Sequence, residues 1–336
     1  MPSSTNLRKL VIAGASSLLG NEVKTVLEEG PFATRDVYLV DEDEAAGRLT
    51  EAGGEAALIQ RVDADTFRGA QFAFLTGSRE FGRACAASAK EAGATIIDFS
   101  RASLADPDAT PWFPRIEMLS GRNVARSART FSVFSAAATA VASLALLLRR
   151  HGLRRLVVVL HQPVSEAGRH GIEELETQTS HLLSFQAVGT QVFGTQGAFN
   201  VLSRFGPEAR IDLQRNALEI RAEVSAAIGD AAEDAKISLN LLHVPVFYGL
   251  TFSACADLEA DVSAEQLAAD CREGGFVVAQ GGDAPSSVSV AGEPSIHLSE
   301  PRADSVRAHS WWFWGAADNL RVPAASGCKL AEWLEP

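Results

Sequence analysis

Short, unbroken apolar runs, each followed by a helical stretch, recur through the first third of this chain. Lys9–Gly14 (KLVIAG) leads into a helix over Leu18–Glu29 that ends at Gly30, and Asp36–Asp41 (DVYLVD) follows. Ala56–Val62 reads as a third strand, then come Ala70–Thr76 (AQFAFLT), a helix over Glu80–Ala92 stopped by Gly93, and Thr95–Phe99 (TIIDF). A strand with water on one side alternates apolar and polar residues, whereas a run that is apolar throughout must be covered on both faces. Helices between such strands predict an α/β, doubly wound parallel sheet over residues 1–131, the architecture of nucleotide-binding domains.

After Thr130 the pattern changes. The strand Thr130–Phe134 runs into an Ala-rich helix, followed by Arg154–Gln162 (RRLVVVLHQ) and an amphipathic helix over Gly171–Ser184. Lys236–Val246, Phe247–Leu258, a helix from Ser263 and His309–Ala316 complete the series. Long strands in succession with helices to one side predict a second, α+β domain over residues 132–320 with a largely antiparallel or mixed sheet. In the aromatic run Trp311-Trp312-Phe313-Trp314, alternation at period two buries one half and leaves the other free for an interface. Simple core packing is the commoner use of such a run.

Two domains also suit the length, because 336 residues exceed what one core usually serves. Apolar residues at 46% and charged ones at 21% exclude disordered, collagen-like and coiled-coil classes. The net charge of −12 repels polyanions and anionic membranes, so neither nucleic acid nor a membrane is an expected partner. The longest uncharged stretch, Phe131–Leu148, mixes Ser, Thr and many Ala. It falls short of the roughly 20 strongly apolar residues of a spanning helix and reads as a buried one. No signal-peptide pattern opens the chain. Cys85, Cys255, Cys271 and Cys328 lie far apart without metal-ligand spacing, and read as reduced thiols of a cytoplasmic protein that holds no metal.

The first strand ends in Gly14-Ala15-Ser16-Ser17-Leu18-Leu19-Gly20. A dinucleotide loop uses its first glycine for the turn, its second for close approach of backbone to pyrophosphate, and its third for helix packing. Here Ser17 takes the middle place, and its side chain intrudes where phosphate would meet bare backbone. The helix N-terminus still offers N–H groups and a favourable dipole end. Ser17 is equally a good N-cap, so a capped helix with no ligand is the alternative. Asp41 lies about 20 residues past the loop, the spacing of a ribose-binding carboxylate. Together with Glu42, Asp43 and Glu44 it would oppose a 2′-phosphate, so the cofactor, if one binds, should be NAD and not NADP. A solvated acidic turn is the alternative.

These segments, with others in the same order, resemble the aspartate-semialdehyde dehydrogenase family. Gly14–Gly20 is similar to that family's GATGxVG, and Phe74–Thr76, Glu91–Ser100 (EAGATIIDFS) and Asp106-Pro107-Asp108 fit its first domain. His161–Gly168 (HQPVSEAG) with Gly171–Leu175 (GIEEL) is similar to YQAVSGAG…GMEEL. Ala198–Val201 (AFNV), Val244–Phe247 (VPVF) and Ala317–Arg321 (ADNLR) extend the match over most of the chain. The resemblance implies a Rossmann-type domain, an α+β domain that dimerises through its sheet, and a C-terminal helix, residues 321–336, returning to the first domain. The cofactor-binding set on this reading is Gly14, Ser16, Ser17, Leu18, Leu19, Gly20, Asp41, Thr76 and Asn319.

The chemistry implied by the resemblance starts with a cysteine thiolate, in a motif like NPNCST at the domain junction, that attacks an aldehyde. The thiohemiacetal gives hydride to NADP, and phosphate cleaves the thioester. Here that stretch is Phe134-Ser135-Ala136-Ala137-Ala138-Thr139, so Ala137 stands in the nucleophile position and cannot form the bond. The family's substrate-binding arginine and acid/base histidine, in a motif like RVPVFRGH, correspond to His243 and Leu250. Neither can do the corresponding work. A phosphate-binding arginine corresponds to Leu104, with Arg101 close by, and two lysines correspond to Glu219 and Val322. Gln162 and Asn200 remain.

The chain therefore reads as a folded, homodimeric scaffold that lacks the parent activity and is left to bind NAD or a partner. One alternative is an active semialdehyde oxidoreductase of amino-acid biosynthesis using other groups. For it, Ser135, His161, Glu166, His170 and His243 fall near the cleft by alignment, with Gln162 facing the pocket, His161 turned away, and His243 and Glu166 a candidate acid/base pair. Another is a sensor that binds NAD(H) without turnover.

Overall fold

The computed structural model describes residues 9–229 and 236–335, which divide into two units. The first holds the described residues up to 113, 123–134 and those from 323 onward; the second holds 114–122 and 135–322. The expected boundary at 131/132 moves to 134/135, because the strand that begins at Thr130 stays in the first sheet to its end.

The chain runs β1 (Lys9–Ala13), α1 (Leu18–Glu29), β2 (Val37–Asp41), β3 (Leu49–Ala52), β4 (Glu55–Leu58), β5 (Gln60–Arg61) and β6 (Ala70–Leu75). It continues through α2 (Arg79–Glu91), β7 (Thr95–Asp98), β8 (Thr110–Trp112), α3 (Ile116–Ser120) and β9 (Thr130–Val133). Seven of these strands form one sheet in the order β5-β2-β1-β6-β7-β9-β8, each neighbouring pair parallel. All of β7 and β9 and four of the five residues of β1 are buried, which is why these runs carry no alternation.

The expected strand over Ala56–Val62 is corrected. Gly53 and Gly54 adopt φ of +60° and +78°, the left-handed backbone of a two-residue hairpin turn, and fold β4 back on β3 as a separate two-stranded ribbon. Only Gln60–Arg61 joins the main sheet, at its edge beside β2.

In the second unit, α4 (Ala136–Leu148) is followed by β10 (Leu153–Gln162), α5 (Gly168–Leu183) and α6 (Leu213–Ile228). Then come β11 (Lys236–His243), β12 (Leu250–Leu258), α7 (Ala264–Glu273), β13 (Val277–Val278), β14 (His297–Leu298), β15 (Arg302–Ala303), β16 (Ser310–Ala317) and α8 (Arg321–Leu334), the last passing to the first unit at Pro323. The sheet order is β11-β10-β12-β16-β14-β13, mixed in direction: β10 lies parallel to β11 and antiparallel to β12. The expected strands over Lys236–Val246 and Phe247–Leu258 both shorten. Pro245 has no N–H to give a ladder, and Gly249 turns the chain at φ +87°.

All 13 residues of α4 are buried, as a helix apolar on every side must be. Among the described residues no helix is long and apolar enough to cross a membrane. Along β12 buried and half-buried residues alternate strictly. One face of this sheet carries Leu156, Val158, Leu160, Phe252 and Phe313 in the core; the other carries Val157, Val159, Cys255, Trp312 and Trp314.

A side chain at Gly14 would place its Cβ 2.1 Å from the backbone nitrogen of Gly77, at a φ of +94°. Gly14→Ala should therefore lower the unfolding free energy by about 2–4 kcal/mol, as overpacking against backbone adds to left-handed strain. Urea denaturation followed by far-UV circular dichroism measures this, and an unchanged midpoint would contradict the packing described.

Candidate functional site

In the first unit the glycine loop is braced by the protein's own groups. Ser17 caps α1: its Oγ accepts from Gly20 N at 2.8 Å and donates to the Thr76 carbonyl at 3.0 Å. Thr76 is buried and its hydroxyl donates to the Gly14 carbonyl at 3.0 Å. A Cβ at Gly20 would fall 2.3 Å from that same carbonyl oxygen, so the third glycine serves helix-to-strand packing. Leu18 and Leu19 are half-buried in the first turn of α1.

Asp41 is not part of a solvated turn. It is buried at the end of β2, where one carboxylate oxygen accepts from Ser16 N at 2.6 Å and the other from Glu42 N at 2.8 Å. Glu42 in turn accepts from the Ser78 hydroxyl at 2.6 Å, while Asp43 pairs with Arg61 at the exposed sheet edge. The loop thus joins a helix N-terminus to a fixed carboxylate, the elements that a dinucleotide's phosphates and ribose require. Asn319 lies in the second unit, where its amide accepts from Gly249 N and donates to Ser165 and Glu166.

Ala137, Gln162, His243 and Leu250 belong to the second unit, whereas Arg101 and Leu104 lie in the first. Gln162 ends β10, His243 ends β11 directly beside it in register, and Leu250 begins β12, so the three share one end of the sheet. Gln162 and Leu250 are buried. Ala137 is buried in the first turn of α4, whose N-cap is Ser135. One helix ties these positions together: on α6, Asn216 donates to Gln162 Oε1 at 3.4 Å, and Glu223, two turns on, reaches Ser135. One Glu223 oxygen accepts from Ser135 N at 2.9 Å and the other from its hydroxyl at 2.8 Å, while the hydroxyl oxygen accepts from Ala138 N. Glu223 is 1% exposed, so this is a buried carboxylate set at the positive end of α4, with both oxygens engaged.

The proposed His243–Glu166 acid/base pair does not form. Glu166 accepts from Asn319, and the His243 ring lies wholly buried between Phe193 and Phe205, with centroids 4.6 and 5.1 Å away. Burial pushes the His243 imidazole down to about 4. His161 shares the other sheet face with Trp314 and contacts Thr251 at 3.0 Å. His170 is exposed beside Glu173 and lines a cleft of about 230 Å³ with Thr177, Gln191 and Arg210. Asn200 donates to the Gln196 carbonyl. Burial pushes Cys85 and Cys271 up to about 12, so neither supplies a thiolate near neutral pH. Among the described residues no cluster of three His, Cys, Asp or Glu side chains could hold a metal.

Comparison with known proteins places these features in context. The model of the semialdehyde dehydrogenase NAD binding domain matches residues 9–120, and that of the semialdehyde dehydrogenase dimerisation domain matches residues 144–322. A USG-1 protein homolog of Azotobacter vinelandii is 30% identical over 97% of each chain. An aspartate-semialdehyde dehydrogenase of Rickettsia bellii is 25% identical over 98% of each. Among solved structures, a probable aspartate-semialdehyde dehydrogenase from Pseudomonas aeruginosa superposes with a TM-score of 0.83 at 26% identity, covering 97% of this chain and 98% of its own.

Replacing Glu223 by Leu removes the acceptor of two donors on the half-buried Ser135, and should cost about 1–3 kcal/mol of unfolding free energy. Glu223→Gln, which keeps one acceptor oxygen, should cost roughly half as much. Chemical denaturation of the two variants checks the order, and a Leu variant as stable as the parent protein would refute it.

Proposed function

The chain belongs to the semialdehyde dehydrogenase family, and from that premise we propose that it is a non-catalytic member, a dimeric scaffold that binds NAD. The observation that carries this reading is Ala137 in the first turn of α4. A helix N-terminus lowers a thiol's pKa and favours attack by its thiolate, but a methyl group has no lone pair to donate. His243 cannot replace the substrate-binding arginine, because its ring is enclosed by phenylalanines. Leu250 cannot transfer a proton. Gln162 accepts from Asn216, and Glu223 has both carboxylate oxygens engaged by Ser135 at the start of α4, so these groups brace the scaffold.

Support for a nucleotide comes from the loop. The residues that would hold NAD are Ser16 to Gly20 at the N-terminus of α1, with Asp41 fixed at the end of β2. Bound there, NAD would supply a hydride acceptor. Asp41, Glu42 and Glu44 disfavour the 2′-phosphate of NADP by like-charge repulsion. Dimerisation goes with the matched dimerisation domain and with the face of the second sheet on which Val157, Val159, Trp312 and Trp314 lie, where Trp312 is 37% exposed. Three of the four free cysteines are buried as thiols, which suits a reducing, cytoplasmic setting.

Three measurements on the purified protein test this reading together. In the phosphate-dependent assay with aspartate semialdehyde and either NAD or NADP, turnover should not exceed a heat-killed control; turnover above it overturns the non-catalytic assignment. Calorimetric titration should show NAD or NADH binding at least tenfold tighter than NADP or NADPH, and equal affinities would remove the role given to Asp41. Sedimentation should give a dimer.

A further inference from the structure

His243 has no hydrogen-bond partner on either ring nitrogen, though its side chain is completely buried. A neutral imidazole carries one donor and one acceptor, and leaving both unmet in an apolar site is costly. The enclosure is built by the segment between α5 and α6. Phe193 and Phe205 pack on the ring and on each other at 5.2 Å, and Gly197 completes the wall, where a Cβ would lie 3.4 Å from Nε2. The segment is also pinned at His243 by backbone: Leu202 N donates to the His243 carbonyl at 3.0 Å, and His243 N donates to the Leu202 carbonyl at 2.8 Å. Its other anchor is α5. Glu174 accepts from Val192 N and Phe193 N, and the buried Gln178 Oε1 accepts from Gly197 N and Ala198 N.

We propose that His243 is a pH-sensitive latch: neutral, it lets the segment 189–206 close over the apolar cluster of Val164, Leu175 and Phe193; protonated, it opens that segment. A charged imidazole cannot remain in a cage of two phenylalanine rings and a glycine without a counter-charge, and among the described residues neither ring nitrogen has a partner. The charged and titratable groups on the surrounding elements are Arg169, His170, Glu173, Glu174, Glu176 and His181 on α5, Arg204, Glu208 and Arg210 on the segment itself, and Arg215, Glu219, Arg221 and Glu223 on α6. Glu174 is committed to backbone amides, and Arg215 pairs with Glu219 at 3.3 Å. On β10 the neighbouring position is the uncharged Gln162. Burial alone depresses the ring. The sign follows from linkage: the open form takes up a proton near the ordinary value of 6.5, and the closed form resists down to about 4. Closure is therefore fully stable above about pH 6.5, weakens as the pH falls towards 4, and changes no further below that.

Hydrogen exchange on the full chain reads the latch directly. Between pH 7.5 and 5.0, after correction for intrinsic rates, protection at the amides of Gly194, Gly197, Ala198, Leu202 and Gly206 should fall about thirtyfold. The loss should be confined to this segment. His243→Phe and His243→Leu, which keep an apolar filling, should both abolish the pH dependence while His170 and His181 remain. Should either variant fail to fold, the imidazole carbon resonance of His243 in the parent protein decides: a titration midpoint well below 6 supports the latch. Pairs of His243 variants that still open at pH 5, protection independent of pH, or a midpoint at or above 6.5 would each overturn it.

Discussion

A helix with no polar side must be shielded along its whole length, and the amides at its start must be answered by something that can itself survive burial. That is the position of α4, in which all 13 residues are buried and the answering group is the Glu223 carboxylate on α6. Ser135 donates to it through both N–H and hydroxyl and accepts from Ala138 N, which closes the helix start. The same helix, α6, reaches Gln162 through Asn216 and so ties the start of α4 to the end of the sheet. The start of α4, where Ala137 lies, and Gln162 at the end of the sheet are both held by this arrangement. The bonds that shape the start of α4 do not involve the side chain at position 137.

The glycine loop gives the same lesson in the first unit. Gly14 and Gly20 are required by contacts with Gly77 and with the loop's own carbonyl, whether or not a nucleotide binds. Persistence of the first and third glycines is thus explained by packing. The middle position, Ser17, is the one at which a ligand would make its own demand, and it holds a capping serine. Evidence for NAD lies instead in Asp41, a buried carboxylate held facing the loop by two backbone amides.

Local signals made the first unit readable from sequence. β1, α1, β6 and β7 each announce themselves through an apolar run or a glycine stop, and the parallel order follows from covering both faces. Reading Ala56–Val62 as one strand overlooked Gly53-Gly54, a turn signal present in the sequence. The helix α6 also had a signal, Asp212 as N-cap before a run of helix formers, but it passed unread. The bonds that organise the second unit had none: Ser135 and Glu223 are 88 residues apart, and the rings around His243 come from a segment without regular structure. Family motifs located Ala137, His243 and Leu250, yet only the fold shows that His243 turned inward instead of pairing with Glu166.

The proposal that Ala137 leaves the chain without a nucleophile is a chemical statement, and mass tests it without any assumption about rate. The protein would be incubated with aspartate semialdehyde and each oxidised cofactor in the absence of phosphate, so that an acyl-enzyme could form but not be cleaved, then examined by intact mass spectrometry. The account predicts a mass equal to that of the untreated chain. A covalent adduct on any side chain at the end of the second sheet or the start of α4 would contradict it.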